Sequence, residues 1–146
     1  MTTNEYTLLN SIVENTDMAL HSITKIKSNK KVTNTEFLAM LENQMVEYQK
    51  INELASTIIN ASGEKVVTKN KMVKSISSAG INWEIMVDPT TSHLSQMLLQ
   101  GMVMGEITII KELNAKRGSL PPQTVELAEK LLTLHSQNAQ DYKKYL

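Results

Sequence analysis

YTLLNSIVENTDMALHSITKIKS, residues 6–28, decides the fold. Its apolar side chains Leu9, Ile12, Val13, Ala19, Leu20, Ile23 and Ile26 recur at three- and four-residue steps, the spacing of one face of an α-helix. Just upstream, Thr2 and Glu5 have the capping-box spacing, in which a hydroxyl and a carboxylate each satisfy a free backbone N–H. The next residues, 27–32, lose this period. Thr33 and Glu36 then repeat the capping box, with Val32 and Phe37 placed as a hydrophobic staple, so a second helix is predicted from about Asn34. Its seam reads Leu41, Met45, Tyr48, Asn52, Ala55 and Ile59, and Gly63 stands where a left-handed C-terminal cap would close it.

Further along, Met72, Ile76, Ala79, Trp83 and Met86 form a weaker stripe between Thr68 and Val87, broken by Ser77, Ser78 and Gly80, which predicts a connecting helix. Asp88 followed by Pro89 reads as an N-cap with proline in the first turn of a third long helix running through Leu94, Leu98, Met102 and Ile109 to Leu113. Lys116, Arg117 and Gly118 close it. Residues 119–122 open the last helix, with the stripe Ala128, Leu131, Leu132, His135, Ala139, Tyr142 and Leu146. No stretch alternates as a strand would. Four long amphipathic helices, with short links within each outer pair and a long link in the middle, predict a single all-α domain over residues 1–146: a four-helix bundle with a long helical crossover between its second and third long helices.

Composition removes several function classes. The 15 Lys+Arg residues cancel the 15 Asp+Glu residues, and aromatic residues are 4% of the chain, so neither a basic field nor a set of stacking rings is present for nucleic acid. With no cysteine, disulfides, thiolate metal sites and cysteine nucleophiles are excluded. No apolar run approaches a membrane span, and a cytoplasmic location is expected. The lysine groups around residues 25–31 and 65–74 flank helix ends and read as solvated. Asp17 and His21, one turn apart, read as a solvated ion pair. Phosphate loops, serine elbows and paired catalytic carboxylates are not found.

In helical bundles, sites are built from polar residues that interrupt apolar stripes. Here the polar core is expected at Tyr48, Asn52, Glu106, His135 and Asn138. Asn52 reads as a register-setting polar residue. His135 reads as a neutral core histidine with Asn138, Asn52 or Tyr48 as partner. A carboxylate and an imidazole in one bundle also raise a divalent-metal alternative on Glu106 and His135. Against it, no histidine has the glutamate three residues earlier that a di-iron bundle uses, since Met18, Thr90 and Leu132 stand there. Glu106 also lies nearer the turn than His135 by a stagger of ~7 Å.

The third long helix is apolar on more than one side, Leu99, Val103 and Ile110 adding to Leu94, Leu98 and Met102, which predicts an interface through Leu99, Val103 and Ile110. Met97, Met102 and Met104 on that helix suit either core filling or an adaptable binding surface. Gly101 and Gly105, four apart, permit close helix approach or leave room opposite His135.

Gly63-Glu64-Lys65, Trp83, the segment 98–111 with its Gly105-Glu106 pair, and the closing run 138–143 resemble the DUF2383 family of bacterial ferritin-like four-helix proteins. The likeness extends over nearly the whole chain through short motifs, and Ile107 departs from it where an acidic residue is common. The resemblance implies a ferritin-like bundle, oligomeric, with no established activity, and it supplies no catalytic residue. The leading expectation is a non-enzymatic bundle, without cofactor, that acts by forming a homodimer or binding a protein partner. One rival is a metal-dependent oxidoreductase or iron-binding protein using Glu106, His135 and Tyr48. Another is a ligand-binding or sensor bundle with a cavity opposite Gly101 and Gly105.

Overall fold

The computed structural model describes residues 1–67 and 71–146, except for the side chains of residues 71–78. It contains helices α1 (Thr3–Ser28), α2 (Thr35–Ala61), α3 (Lys71–Val87), α4 (Thr91–Lys116) and α5 (Pro122–Lys143), with a 3-10 turn at Arg117–Ser119. No strand occurs among the described residues. The all-α reading holds.

The helix ends show how local chemistry sets these bounds. Thr2 caps α1, its Oγ1 accepting from the Glu5 backbone N–H at 3.2 Å. The other half of the expected box is not made. Glu5 instead turns inward, 8% exposed, and accepts a hydrogen bond from Thr124 Oγ1 on α5 at 3.0 Å. The cap of α2 lies one residue later than the Thr33 box implies: Asn34 Oδ1 accepts from Phe37 N at 2.9 Å. Asparagine is among the strongest cap acceptors, and here it displaces the threonine. Gly63 ends the α2 turn at φ +84°, and its N–H bonds to the Asn60 carbonyl. That left-handed backbone is nearly free of strain only for glycine.

Two further boundaries differ from expectation. Thr90, rather than Asp88, caps α4, accepting from His93 N, while Asp88 Oδ1 accepts from Thr90 N at 3.0 Å. Proline at 89 favours extended backbone at Asp88, which a cap residue also adopts, so the start is set instead by Thr90, extended at φ −67° and ψ 149° with its hydroxyl on His93 N. At the other end, α4 passes into the Arg117–Ser119 3-10 turn with no left-handed glycine at 118.

Helix α1 contacts α2, α4 and α5; α2 also packs on α5, and α5 on α4. The core between them is Leu8, Leu9, Ile12, Val13, Ile23 and Ile26 of α1, with Phe37, Leu41, Tyr48 and Ile59 of α2, Leu94, Leu98, Met102, Ile109 and Leu113 of α4, and Leu127, Ala128, Leu131, Leu134 and Tyr142 of α5. Burying each large aliphatic member contributes about 1.5–3 kcal/mol. Three seam positions differ from the expected stripes. Gln44 is buried where Met45 was expected, Leu134 is buried where Leu132 was, and Leu146 lies exposed beyond the end of α5.

The predicted connecting helix is present as α3, which packs on α1. Its inward face is Ile81 and Ile85, whereas Ala79, Trp83 and Met86 are exposed. Two β-branched residues one turn apart fill the α1 groove better than the broader stripe containing Trp83, so that stripe faces outward. Met72 and Ile76 belong to that stripe, and their side chains lie outside the described residues, as do those of Lys71 and Lys74. Tyr6 and Asn10 tie the preceding segment to α1: the Tyr6 hydroxyl donates to Lys65 O and Asn10 Oδ1 accepts from Val67 N. No described helix is long and apolar enough to cross a membrane.

Candidate ligand-binding site

Along α1, Ser11, Asn15, Met18 and Ser22 stand four, three and four residues apart. Along α4, Met97, Gly101, Met104 and Thr108 repeat the same intervals. Each set is a row down one side of a helix. The two rows are walls of one cavity of about 590 Å³, whose lining also includes the core residues Ile23, Leu98 and Met102. Helix α3 adds Gly80, Ile81 and Glu84. Side chains of the other two helices reach it too, from α2 Tyr48 and from α5 His135 and Tyr142.

The space exists because the α4 row is short at its centre. A Cβ built on Gly101 or Gly80 would meet no atom within 4 Å, so each glycine borders open volume. Gly105 serves a different purpose. Asn15 of α1 lies directly against it and donates from Nδ2 to the Gly105 carbonyl at 3.1 Å, so this glycine lets α1 and α4 approach. A neighbouring cross-link joins Ser11 Oγ to Glu112 Oε1 at 2.5 Å. The Gly101/Gly105 spacing thus divides its two expected roles, room at one position and close approach at the other.

His135 is 1% exposed and makes no hydrogen bond among the described residues; its Nδ1 is buried without a partner. Its expected partners are committed elsewhere. Asn138 Nδ2 donates to the Tyr48 hydroxyl at 3.0 Å. Asn52 Nδ2 reaches Thr16 Oγ1 at 2.8 Å and Asp17 Oδ1 at 3.0 Å, which places Asn52, half-buried, as a tie between α2 and α1. Asp17 is accordingly part of that tie. Burial pushes the His135 pKa down to about 4, so the imidazole is neutral at physiological pH. Burial likewise pushes the Tyr48 phenol up to about 12 against the lowering effect of Asn138, and raises that of Tyr142. Both phenols stay protonated. The Tyr142 hydroxyl donates to the buried Gln44 Oε1 at 2.5 Å.

At the rim, Glu84 of α3 pairs with His93 of α4, Oε2 to Nε2 at 2.6 Å, bridging the turn between these helices. In that turn, hydrogen bonds from Thr90, first its side chain and then its backbone, hold the Asp88 carboxyl below its ordinary range. Glu14 is the second carboxylate of the wall. No lysine or arginine lines the cavity among the described residues.

Glu106 does not join this site. It is half-buried and is not among the cavity-lining residues, because its position on α4 rotates it toward Leu99 and Ile110, away from the Gly101 and Thr108 side. The Glu106–His135 pairing of the metal alternative is therefore not formed, and no group of three His, Asp or Glu placed to hold a metal is found among the described residues. The expected interface residues lie on the flank that Glu106 faces: Leu99 is half-buried, Val103 is 40% and Ile110 39% exposed, and Ile107 adds 47%. In comparisons with known proteins, no family model, curated protein or solved structure matches the chain.

Sequence reasoning placed His135 and Tyr48 in the polar core but missed the α1 wall. Its signal was present as the row Ser11, Asn15, Met18 and Ser22, a second helical period of small, polar and flexible residues beside the apolar stripe.

Proposed function

We propose that this chain is a non-enzymatic small-molecule-binding protein on a ferritin-like four-helix scaffold, in which α1, α2, α4 and α5 form the bundle and α3 the crossover. The reading rests on one observation: a cavity of about 590 Å³, walled by apolar side chains and reaching an unpartnered buried imidazole. Binding sites for small molecules have volumes of roughly 300–1,000 Å³ and combine apolar walls with a few convergent polar groups. Four methionines, Met18, Met97, Met102 and Met104, line this one, and their flexible thioethers adapt to a guest. The resemblance to the ferritin-like DUF2383 family supports the scaffold and adds no chemistry.

The test is native mass spectrometry of freshly isolated protein beside its Gly101→Leu variant, which fills the cavity from an open position. A small molecule that travels with the wild type and is lost from the variant supports the reading. Equal retention by both proteins, or no uptake from a library of apolar compounds by either, would sink it.

A second reading is favoured by the exposed apolar strip Val103, Ile107 and Ile110 on α4: self-association as a homodimer. Sedimentation at micromolar concentration tests it. A dimer that becomes a monomer in Val103→Glu/Ile110→Glu supports it, and a wild-type monomer removes it.

A further inference from the structure

The chemistry of the cavity also selects among guests, and this step rests on the ligand-binding reading above. We infer that the cavity takes an uncharged amphiphile, an elongated apolar body carrying one hydroxyl-type head that meets His135, and that it discriminates against carboxylates of the same length.

Three features lead to this class. The walls are dominated by Met18, Ala19, Ile23, Ile81, Met97 and Leu98, which gain from removing a hydrocarbon body from water. The lining offers an anion no cation: no lysine or arginine lines the cavity among the described residues, and the carboxylates of the wall are already engaged, Glu84 with His93. Bringing a carboxylate to a buried neutral imidazole would desolvate it without a counter-charge.

At the inner end, the imidazole of His135 makes no hydrogen bond among the described residues, while Tyr142 donates its O–H to Gln44 and Tyr48 accepts from Asn138 and keeps its own O–H to offer. A neutral imidazole has one donor and one acceptor nitrogen, and a hydroxyl both donates and accepts, so it pairs with whichever nitrogen it reaches. An ammonium head is a weaker fit there. It satisfies only an acceptor, and burial at His135 offers it no counter-charge.

Isothermal titration of the full chain at pH 7.5 with 1-octanol, octanoate and octylamine, each below its micelle concentration, tests the class. Octanol is expected to bind at least about tenfold more tightly than octanoate, a difference of about 1.4 kcal/mol. Gly101→Leu should abolish octanol binding while leaving the thermal transition as high as the wild type. His135→Leu should keep binding of the hydrocarbon body and reduce the octanol-over-octanoate preference at least about threefold. Octanoate or octylamine binding as tightly as octanol would overturn the class and leave the cavity standing. Failure of all three to bind, or binding that Gly101→Leu does not disturb, would overturn the cavity reading itself.

Discussion

The rings of His135 and Tyr48 lie 6.1 Å apart, centroid to centroid, tilted by 55°, and share no hydrogen bond. Tyr48 is held by Asn138, one turn along α5 from His135, so the neighbouring imidazole has no side-chain partner among the described residues. This arrangement has a thermodynamic signature.

The folded-state pKa of His135 is about 4 against an ordinary 6.5, so as pH falls through that window the unfolded chain binds the proton first. Stability is therefore fully present above about pH 6.5 and declines as pH drops toward 4, by on the order of 3 kcal/mol across the window. His135→Leu removes this slope, and at pH 7 it also relieves an unsatisfied buried nitrogen. Urea midpoints at pH 7.5 and 4.5 check both effects. The wild type should lose more than the variant between the two pH values, and equal losses would show that His135 is protonated in the folded state.

The two α4 glycines predict opposite outcomes for the same substitution. Gly101→Ala adds a methyl where no atom lies within 4 Å, so the gain in helix propensity, about 0.5–1 kcal/mol, is unopposed. Gly105→Ala drives a methyl into the Asn15 carboxamide and forces it from the Gly105 carbonyl, which offsets that gain. Thermal denaturation should rank Gly101→Ala above wild type and Gly105→Ala at or below it. A Gly105→Ala variant as stable as Gly101→Ala would show that α1 and α4 do not approach closely there.

How much of this was legible in the sequence depends on the range of the interactions. The helices, their order and most of the core follow from periodic stripes such as Leu9 to Ile26, because the period is local. Gly63 was legible because only glycine suits its backbone. The polar pairings were not, since Asn52, Asn138 and Glu5 each choose partners on another helix, and a one-dimensional spacing does not contain the rotation between helices. Glu106 illustrates the same limit: its neighbours in sequence are apolar, yet its rotation on α4 takes it away from His135. Trp83 was read onto the stripe of Met72, Ile76, Ala79 and Met86 by its spacing, whereas Ile81 and Ile85 occupy the groove.

Glu5 gives a prediction that separates a buried pair from its parts. Its carboxylate is 8% exposed and accepts from the fully buried Thr124 hydroxyl at 3.0 Å, tying the first turn of α1 to the first turn of α5. Thr124→Val preserves shape but removes the donor, so it should cost about 1–3 kcal/mol, the penalty of leaving a buried acceptor unsatisfied. Glu5→Leu/Thr124→Val replaces both partners and should recover much of the loss. A double-mutant cycle in urea measures the coupling. Additive losses would mean that the two groups act independently.

Asn52 supports the last prediction, which concerns the pairing of α1 with α2. Its Nδ2 spans Thr16 and Asp17, while Thr16 Oγ1 retains bonds to the Ile12 and Val13 carbonyls. Asn52→Leu therefore strands no buried hydroxyl and should cost only about 1–2 kcal/mol, the worth of the lost bonds. Asn52→Asp is nearly isosteric but sets a second carboxylate against Asp17 and removes the donor. It should cost more than Asn52→Leu at pH 7, because like charges at hydrogen-bond distance repel. Raising the salt concentration screens the pair and should narrow the gap between the two variants. Urea denaturation at low and high salt provides the comparison. If Asn52→Asp is the more stable variant at pH 7, Asp17 does not face residue 52, and the α1–α2 register is set by the apolar seam alone.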